Sequence, residues 1–188
     1  MGCFIQIAGF ARAGKDTAVA FLVQDFGLVR HCYAAKLKAL ARVLTIPQRT
    51  ETDSGTAYTE LPYWDGSDET KRHPCVQLGK AARDILYPSI WADALLKDEA
   101  VFDQIQTAGV VISDCRYVNE HEGGAMLAAQ ANVPYALIWI DNPDVQPQGE
   151  EAEKTLPLRE MASVIIANGG GVTLAELQAQ MRAAMEAA

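Results

Sequence analysis

The chain has no excess of positive charge, no long apolar run and no cysteine pattern, and each absence removes a class of function. Its 16 Lys and Arg residues stand against 24 Asp and Glu, a formal net charge of −8 with an isoelectric point near 4.8. A nucleic-acid-binding surface would show a basic stripe instead, so no nucleic-acid partner is expected. No run approaches the roughly 18 apolar residues of a membrane span, and no charged segment leads a long apolar one at the start. No membrane partner is therefore expected, and the expected location is cytoplasmic. Cys3, Cys32, Cys75 and Cys115 are widely spaced, with neither the pairing of a zinc site nor the density of a disulfide framework. Three of them lie in or beside apolar runs and read as reduced core thiols.

What is present suits one domain. A chain of 188 residues that is 49% hydrophobic is long enough for a well-buried core and short for two. The expected organisation is a single domain over residues 1–188, without internal repeats.

The most informative segment runs Gly9-Phe10-Ala11-Arg12-Ala13-Gly14-Lys15-Asp16-Thr17. Two glycines five apart followed by lysine match a phosphate-cradling P-loop, except that Asp16 stands where Ser or Thr normally meets Mg²⁺ and Thr17 follows one place later. Residues 3–8 (CFIQIA) form a short apolar run with the pattern of a buried strand. Residues 15–26 carry Ala18, Phe21, Leu22 and Phe26 near helical spacing, and Gly27 reads as a helix stop. In a strand-loop-helix of this kind consecutive N–H groups and the positive end of the helix face an anion, and Lys15 reaches the outer phosphates.

The remaining pattern alternates. Residues 28–33, 110–114, 135–140 and 163–167 are further apolar strand candidates, separated by helical spacing over 34–44, 75–86, 90–96, 98–107, 118–131 and 173–187. Thr173 and Glu176 make a capping box at the start of the last helix. Residues 45–74, with three prolines, many Thr, Asp and Glu and the aromatics Tyr58, Tyr63 and Trp64, read as an irregular insertion or a flap. Residues 142–157 are polar, with three prolines and several glutamates, and read as a lid or a disordered loop. Five strands separated by helices predict an α/β fold with a parallel sheet and helices on both faces. Ligands gather at the carboxyl ends of such strands. The P-loop, Asp114 with Arg116, and Asn168 would then share one edge.

Several separated motifs carry a family resemblance: Gly14-Lys15-Asp16-Thr17, Tyr33-Ala34-Ala35-Lys36-Leu37-Lys38, Gln77-Leu78-Gly79 through Arg83 to Trp91, Asp114-Cys115-Arg116-Tyr117-Val118-Asn119-Glu120, and Asn168-Gly169-Gly170. In their order and spacing the chain resembles the deoxynucleoside monophosphate kinases of tailed phages, within the P-loop nucleotide kinases. The resemblance implies a P-loop NTPase three-layer sandwich and transfer of the γ-phosphoryl group from ATP to a (deoxy)nucleoside monophosphate, with Mg²⁺ bridging the donor phosphates. It places the monophosphate-binding region at about residues 45–97 and the lid at about 142–157, and a phage origin would put the protein in the host cytoplasm. Gly9, Arg12, Ala13, Gly14, Lys15, Asp16, Thr17 and Asn168 would hold the nucleotide. Asp16 and Asp114 are the metal candidates, each with an alternative role at a helix start. Lys15, Asp114, Arg83 and Arg116 would carry catalysis, the arginines gripping phosphate oxygens in pairs. Lys36, Gln77, Arg83, Trp91 and Arg116 would line the acceptor pocket, although Lys36 reads equally as a solvated helical lysine and Trp91 as plain core. Glu120 would brace Arg116.

The chain departs from the family pattern in its lid. Residues 142–157 hold Lys154 and no arginine, with Arg159 just beyond. Either Arg159 serves as the lid cation or Arg12, Arg83 and Arg116 support the transferring group. The rival functions are another small-molecule P-loop kinase, such as one for a cofactor precursor, and a nucleotide-binding module without turnover. A homodimer is among the oligomeric states left open.

Overall fold

A computed structural model describes residues 2–52, 55–63, 72–147 and 149–187. In chain order the elements are β1 (Phe4–Ala8), α1 (Lys15–Phe26), β2 (Val29–His31), α2 (Ala34–Val43), β3 (Thr45–Thr52) and β4 (Gly55–Pro62). They continue with α3 (Arg72–Ile85), α4 (Ile90–Leu96), α5 (Glu99–Thr107), β5 (Val110–Ile112) and α6 (Val118–Ala131). The last are β6 (Tyr135–Asp141), α7 (Gly149–Thr155), α8 (Pro157–Met161), β7 (Val164–Ala167) and α9 (Leu174–Ala187). None of the described helices is long and apolar enough to cross a membrane.

The chain divides into two compact units, Met1–Tyr33 with Ala92–Ala188, and Ala34–Trp91. In the first unit all five apolar segments form one parallel sheet of order β2-β5-β1-β6-β7. Because every pairing is parallel, the five carboxyl ends lie along one edge. The sheet is buried on both faces, and the period-two alternation of strand side chains sorts them between two cores. Phe4, Val110, Ile112, Leu137 and Trp139 pack with Leu95, Val101, Ile105 and Leu127 on the face covered by α4, α5, α6 and α8. Ile5, Ile7, Val111, Ile138 and Ile140 pack with Val19, Leu22, Leu177 and Met181 of α1 and α9 on the other. Asp25 ties those two helices together, accepting from Gln178 at 2.8 Å and from Arg182 at 2.9 Å.

The exposed edge strand β7 is partly closed by a side chain. The amide of Gln180 accepts from Ala167 N–H at 3.1 Å and donates to Ala167 C=O at 3.1 Å, satisfying ladder groups that would otherwise be open. The expected capping box of α9 is formed, with Thr173 N–H donating to Glu176 at 2.8 Å and Glu176 N–H donating to Thr173 Oγ1 at 3.3 Å.

The second unit departs from expectation. Residues 45–62 are an antiparallel hairpin in register from Thr45↔Pro62 to Thr52↔Gly55, where an irregular insertion or flap is expected from the prolines. In a two-stranded ribbon every strand is an edge, so a proline can keep its missing N–H on the open side, and the β-branched threonines favour extension. Trp64 lies outside the described residues. Helices α2 and α3 pack closely, with Leu37 against Gly79, and the buried Trp91 indole donates to Gly79 C=O at 3.2 Å. The polar segment 142–157 likewise contains helix α7, followed by α8 with Pro157 in its first turn, where proline costs no intrahelical bond.

Helix α6 meets the sheet at a glycine. A Cβ on Gly124 would stand 2.5 Å from Gln6 Nε2 and 2.6 Å from Phe4 Cε1, both fully buried. Gly124→Ala is expected to lower stability by about 1–3 kcal/mol through overpacking, despite a helix-propensity gain of up to about 1 kcal/mol, as read from the urea midpoint.

Candidate functional site

Between β1 and α1 the chain makes the loop that the motif predicts. Gly9 (φ 142°), Arg12 (φ 66°) and Gly14 (φ 96°) all have positive φ. Gly14 also serves as the N-cap of α1. No larger residue fits there, because a Cβ would run into the Asn168 amide in a conformation that L side chains rarely adopt. Arg12 holds its left-handed conformation as a non-glycine, a local strain of the kind that clusters at functional loops. The loop closes through Ala13 N–H to Phe10 C=O at 3.1 Å, and the ladder of α1 begins with Ala18 N–H to Gly14 C=O at 3.1 Å. The N–H groups of Lys15, Asp16 and Thr17 therefore precede that ladder, the arrangement that receives an anion at a helix N-terminus.

Lys15 spans its own loop, its ammonium donating to Gly9 C=O at 2.9 Å and Phe10 C=O at 2.7 Å. Asn168, just past β7, donates from Nδ2 to Ala13 C=O at 2.6 Å, and its backbone N–H bonds to Asp141 C=O at 2.8 Å. Asn168 thus meets the loop through the loop's backbone. Asp16 is exposed and pairs with Arg30 beside it. An ion pair this open to water is worth little.

Asp114 and Arg116 lie just beyond β5, and one hydrogen bond carries them to the loop. Cys115 N–H donates to Ile7 C=O at 3.1 Å, extending the β1–β5 pairing past the end of β5, two residues before Gly9. Asp114 accepts from Tyr33 N–H at 2.7 Å. The Glu120 carboxylate takes the backbone N–H of Arg116 at 2.7 Å and of Tyr117 at 3.2 Å, so its brace on Arg116 acts on the main chain at the start of α6. Just past the lid segment, Arg159 of α8 pairs with Asp141 at 3.2 Å. This contact and the Trp139 indole hold the Asp141 carboxyl below its ordinary value, with Arg159 as the larger cause.

The first unit therefore brings together the P-loop residues, Asp114, Arg116 and Asn168. Lys36, Gln77, Arg83 and Trp91 belong to the second. Lys36 and Gln77 are exposed, Arg83 is half-buried and Trp91 is buried.

Beneath the first group runs a buried polar seam. Gln6, on the central strand, donates from Nε2 to the Tyr33 hydroxyl and to Glu120 C=O at 2.9 Å, and accepts from the Tyr135 hydroxyl. Tyr33 donates to Glu120 C=O at 2.9 Å, and His121 Nδ1 meets Tyr135 at 2.6 Å. With Tyr135 donating to Gln6, His121 is the donor in that pair. The only sequence sign of this seam is a lone glutamine between Ile5 and Ile7.

The residues fit a bound nucleotide and its metal. The glycine-bordered loop, the leading N–H groups of α1 and Lys15 suit a phosphate chain. Among the described residues no three His, Cys, Asp or Glu cluster as a metal site. A cation here would take one or two carboxylates from Asp16 and Asp114 and the rest from phosphate and water, which is how Mg²⁺ is commonly held.

No protein-family model matches the chain, and no curated protein matches it. Among solved structures it is similar to an unliganded sugar kinase from Janibacter sp., with a TM-score of 0.50 at 10% identity, covering 99% of this chain and 95% of that one. A mutant APS kinase from Mycobacterium tuberculosis gives a TM-score of 0.43 at 11% identity, covering 98% of this chain and 97% of that one. At such identities the likeness concerns the fold, and the first of the two carries it. The chain has the P-loop α/β fold, a five-stranded parallel sheet with helices on both faces.

Burial gives Glu120 an unusual titration. Desolvation pushes its carboxyl from 4.5 to about 8, with the Asp114 charge adding and the N–H bonds from Arg116 and Tyr117 opposing. The folded protein then retains a proton that the unfolded chain releases. That contribution is fully present below about pH 4.5 and is lost as pH rises toward about 8. Between about pH 5 and about pH 8.5 the wild type is expected to lose on the order of a few kcal/mol from this group. Glu120→Gln keeps an acceptor for both N–H groups without the titration, so its urea midpoints should lack this decline.

Proposed function

We propose that the protein transfers the γ-phosphoryl group of ATP to a (deoxy)nucleoside monophosphate. The observation that supports the reading is the Cys115–Ile7 hydrogen bond, which continues the β1–β5 pairing into the segment of Asp114 and Arg116, two residues before the loop begins at Gly9. Phosphoryl transfer passes through a loose transition state with charge spread over the phosphoryl oxygens, so it asks for cations, backbone donors and fixed geometry rather than covalent chemistry. Lys15 and the α1 terminus supply positive potential for the donor phosphates. Arg116 supplies a fork for phosphate oxygens at the same edge. Asp114, and Asp16 beside its Arg30 partner, are the carboxylates for Mg²⁺, which when bound would neutralise charge on the donor phosphates. Arg83, Gln77 and Lys36 are proposed for the acceptor on the strength of the motif resemblance.

A module that binds nucleotide without turnover is the second reading, favoured by the arginine-poor lid and by the pairing of Arg159 with Asp141. An acceptor of another small-molecule class, such as the sugar after which the similar kinase is named, is the third.

One assay separates them. ADP formation from ATP is expected with at least one of the common deoxynucleoside monophosphates, followed by a coupled enzyme reaction. Lys15→Ala should lower it by about 10³-fold or more, a loss of roughly 4 kcal/mol of transition-state stabilisation, with the melting temperature little changed. ATP binding without product across the panel and across sugar acceptors would overturn the kinase reading in favour of the module.

A further inference from the structure

Tyr33 is held where a phenylalanine would fill the same space, and its hydroxyl is fully engaged. The residue is 2% exposed. Its hydroxyl donates to Glu120 C=O at 2.9 Å and accepts from the Gln6 amide, while its backbone N–H donates to Asp114 Oδ1 at 2.7 Å. One residue therefore grips both ends of the segment 114–120. Arg116 lies between those ends with its N–H on the Glu120 carboxylate at 2.7 Å, and the neighbouring Cys115 N–H is anchored on Ile7 at 3.1 Å. The backbone N–H groups of residues 115, 116 and 117 are all taken by acceptors, so a shift of this stretch of main chain breaks at least one of these hydrogen bonds. Burial and the nearby Cys115, Glu120 and Asp114 push the phenol well above its ordinary value, so it remains a donor across the working pH range.

We infer that Tyr33 is a positioning residue for Arg116, its hydroxyl holding the start of α6, and with it the arginine, in a fixed relation to the phosphate loop, while its backbone N–H separately holds Asp114. For its catalytic consequence the inference rests on the phosphoryl-transfer reading above. A displacement of about 1 Å in a positioned group costs up to about a hundredfold in rate, so loss of the hydroxyl should appear in turnover rather than in nucleotide binding.

The test is Tyr33→Phe, which removes one oxygen and keeps the ring. The turnover number should fall about tenfold or more while calorimetric ATP affinity changes less than about twofold. In the Arg116→Ala background the same change should have little further effect, since no arginine is left to position. Hydrogen exchange supplies a readout independent of turnover. In Tyr33→Phe the Arg116 and Tyr117 amides should exchange faster while those of β1 stay protected. Unchanged exchange at residues 116 and 117 would overturn the inference, and so would a rate loss of equal size with and without Arg116. If the wild type turns over no acceptor, the phosphoryl-transfer reading falls. The exchange experiment then decides the positioning inference alone, faster exchange upholding it and unchanged exchange refuting it.

Discussion

The hydrogen-bonded ladder along β1 is the constraint on which the rest of the first unit depends. β1 is the central strand, paired in parallel with β5 on one side and β6 on the other. The connections from the carboxyl ends of β1, β5 and β6 therefore leave from neighbouring points on one edge, the edge at which ligands gather in open sheets of this kind. The ladder continues one step past β5, through Cys115 to Ile7. That step turns two residues distant in sequence into neighbours of the phosphate loop. A slip of one residue would reverse which side chains face each core, because strand side chains alternate. The apolar burial on both faces thus enforces the register that aligns the site.

Within this frame the protein buries polar groups that a purely apolar core would avoid. Gln6 and Glu120 are 0% and 5% exposed, and leaving either unpaired would cost on the order of 1–3 kcal/mol per group. Each is instead satisfied by partners on other segments: Gln6 by Tyr33, Tyr135 and the Glu120 carbonyl, and Glu120 by the N–H groups that lead into α6. Such a network has few alternative arrangements, because moving one member strands another. Gly124 makes the close approach of α6 possible. The seam thereby fixes the start of α6, the position from which Arg116 extends.

The electrostatics of the edge are local. A chain of net charge −8 still sets Lys15 and the N-terminus of α1 at one loop, with Arg116 in the segment that follows the neighbouring strand β5. Its acids there are already engaged: Asp16 with Arg30, Asp141 with Arg159 and Asp114 with the Tyr33 N–H. The exposed pairs are worth less than about 1 kcal/mol each, so opening them costs little. The buried contact of Glu120 is of another kind and belongs to the scaffold.

Much of the architecture was legible in the linear chain. Apolar runs marked all five strands of the sheet, helical spacing marked α1 and α6 to the residue, and Thr173 with Glu176 marked the cap of α9. Gly9, Gly14 and Lys15 announced a phosphate loop because that loop is built from backbone conformation and a single charge, both local properties. The hairpin at residues 45–62 was read as an irregular insertion or a flap and the segment holding α7 as a lid or a disordered loop, without their regular structure, because proline and polar composition signal breaks when the surrounding pairing is not known. The roles of Gln6 and Tyr33 were decided by tertiary structure alone, as was the form of the Glu120 brace on Arg116, which the sequence suggested and the fold makes through the main chain. Their partners lie up to 129 residues away in sequence, and a buried side chain takes its meaning from whichever distant donor or acceptor the folded core brings within about 3 Å of it.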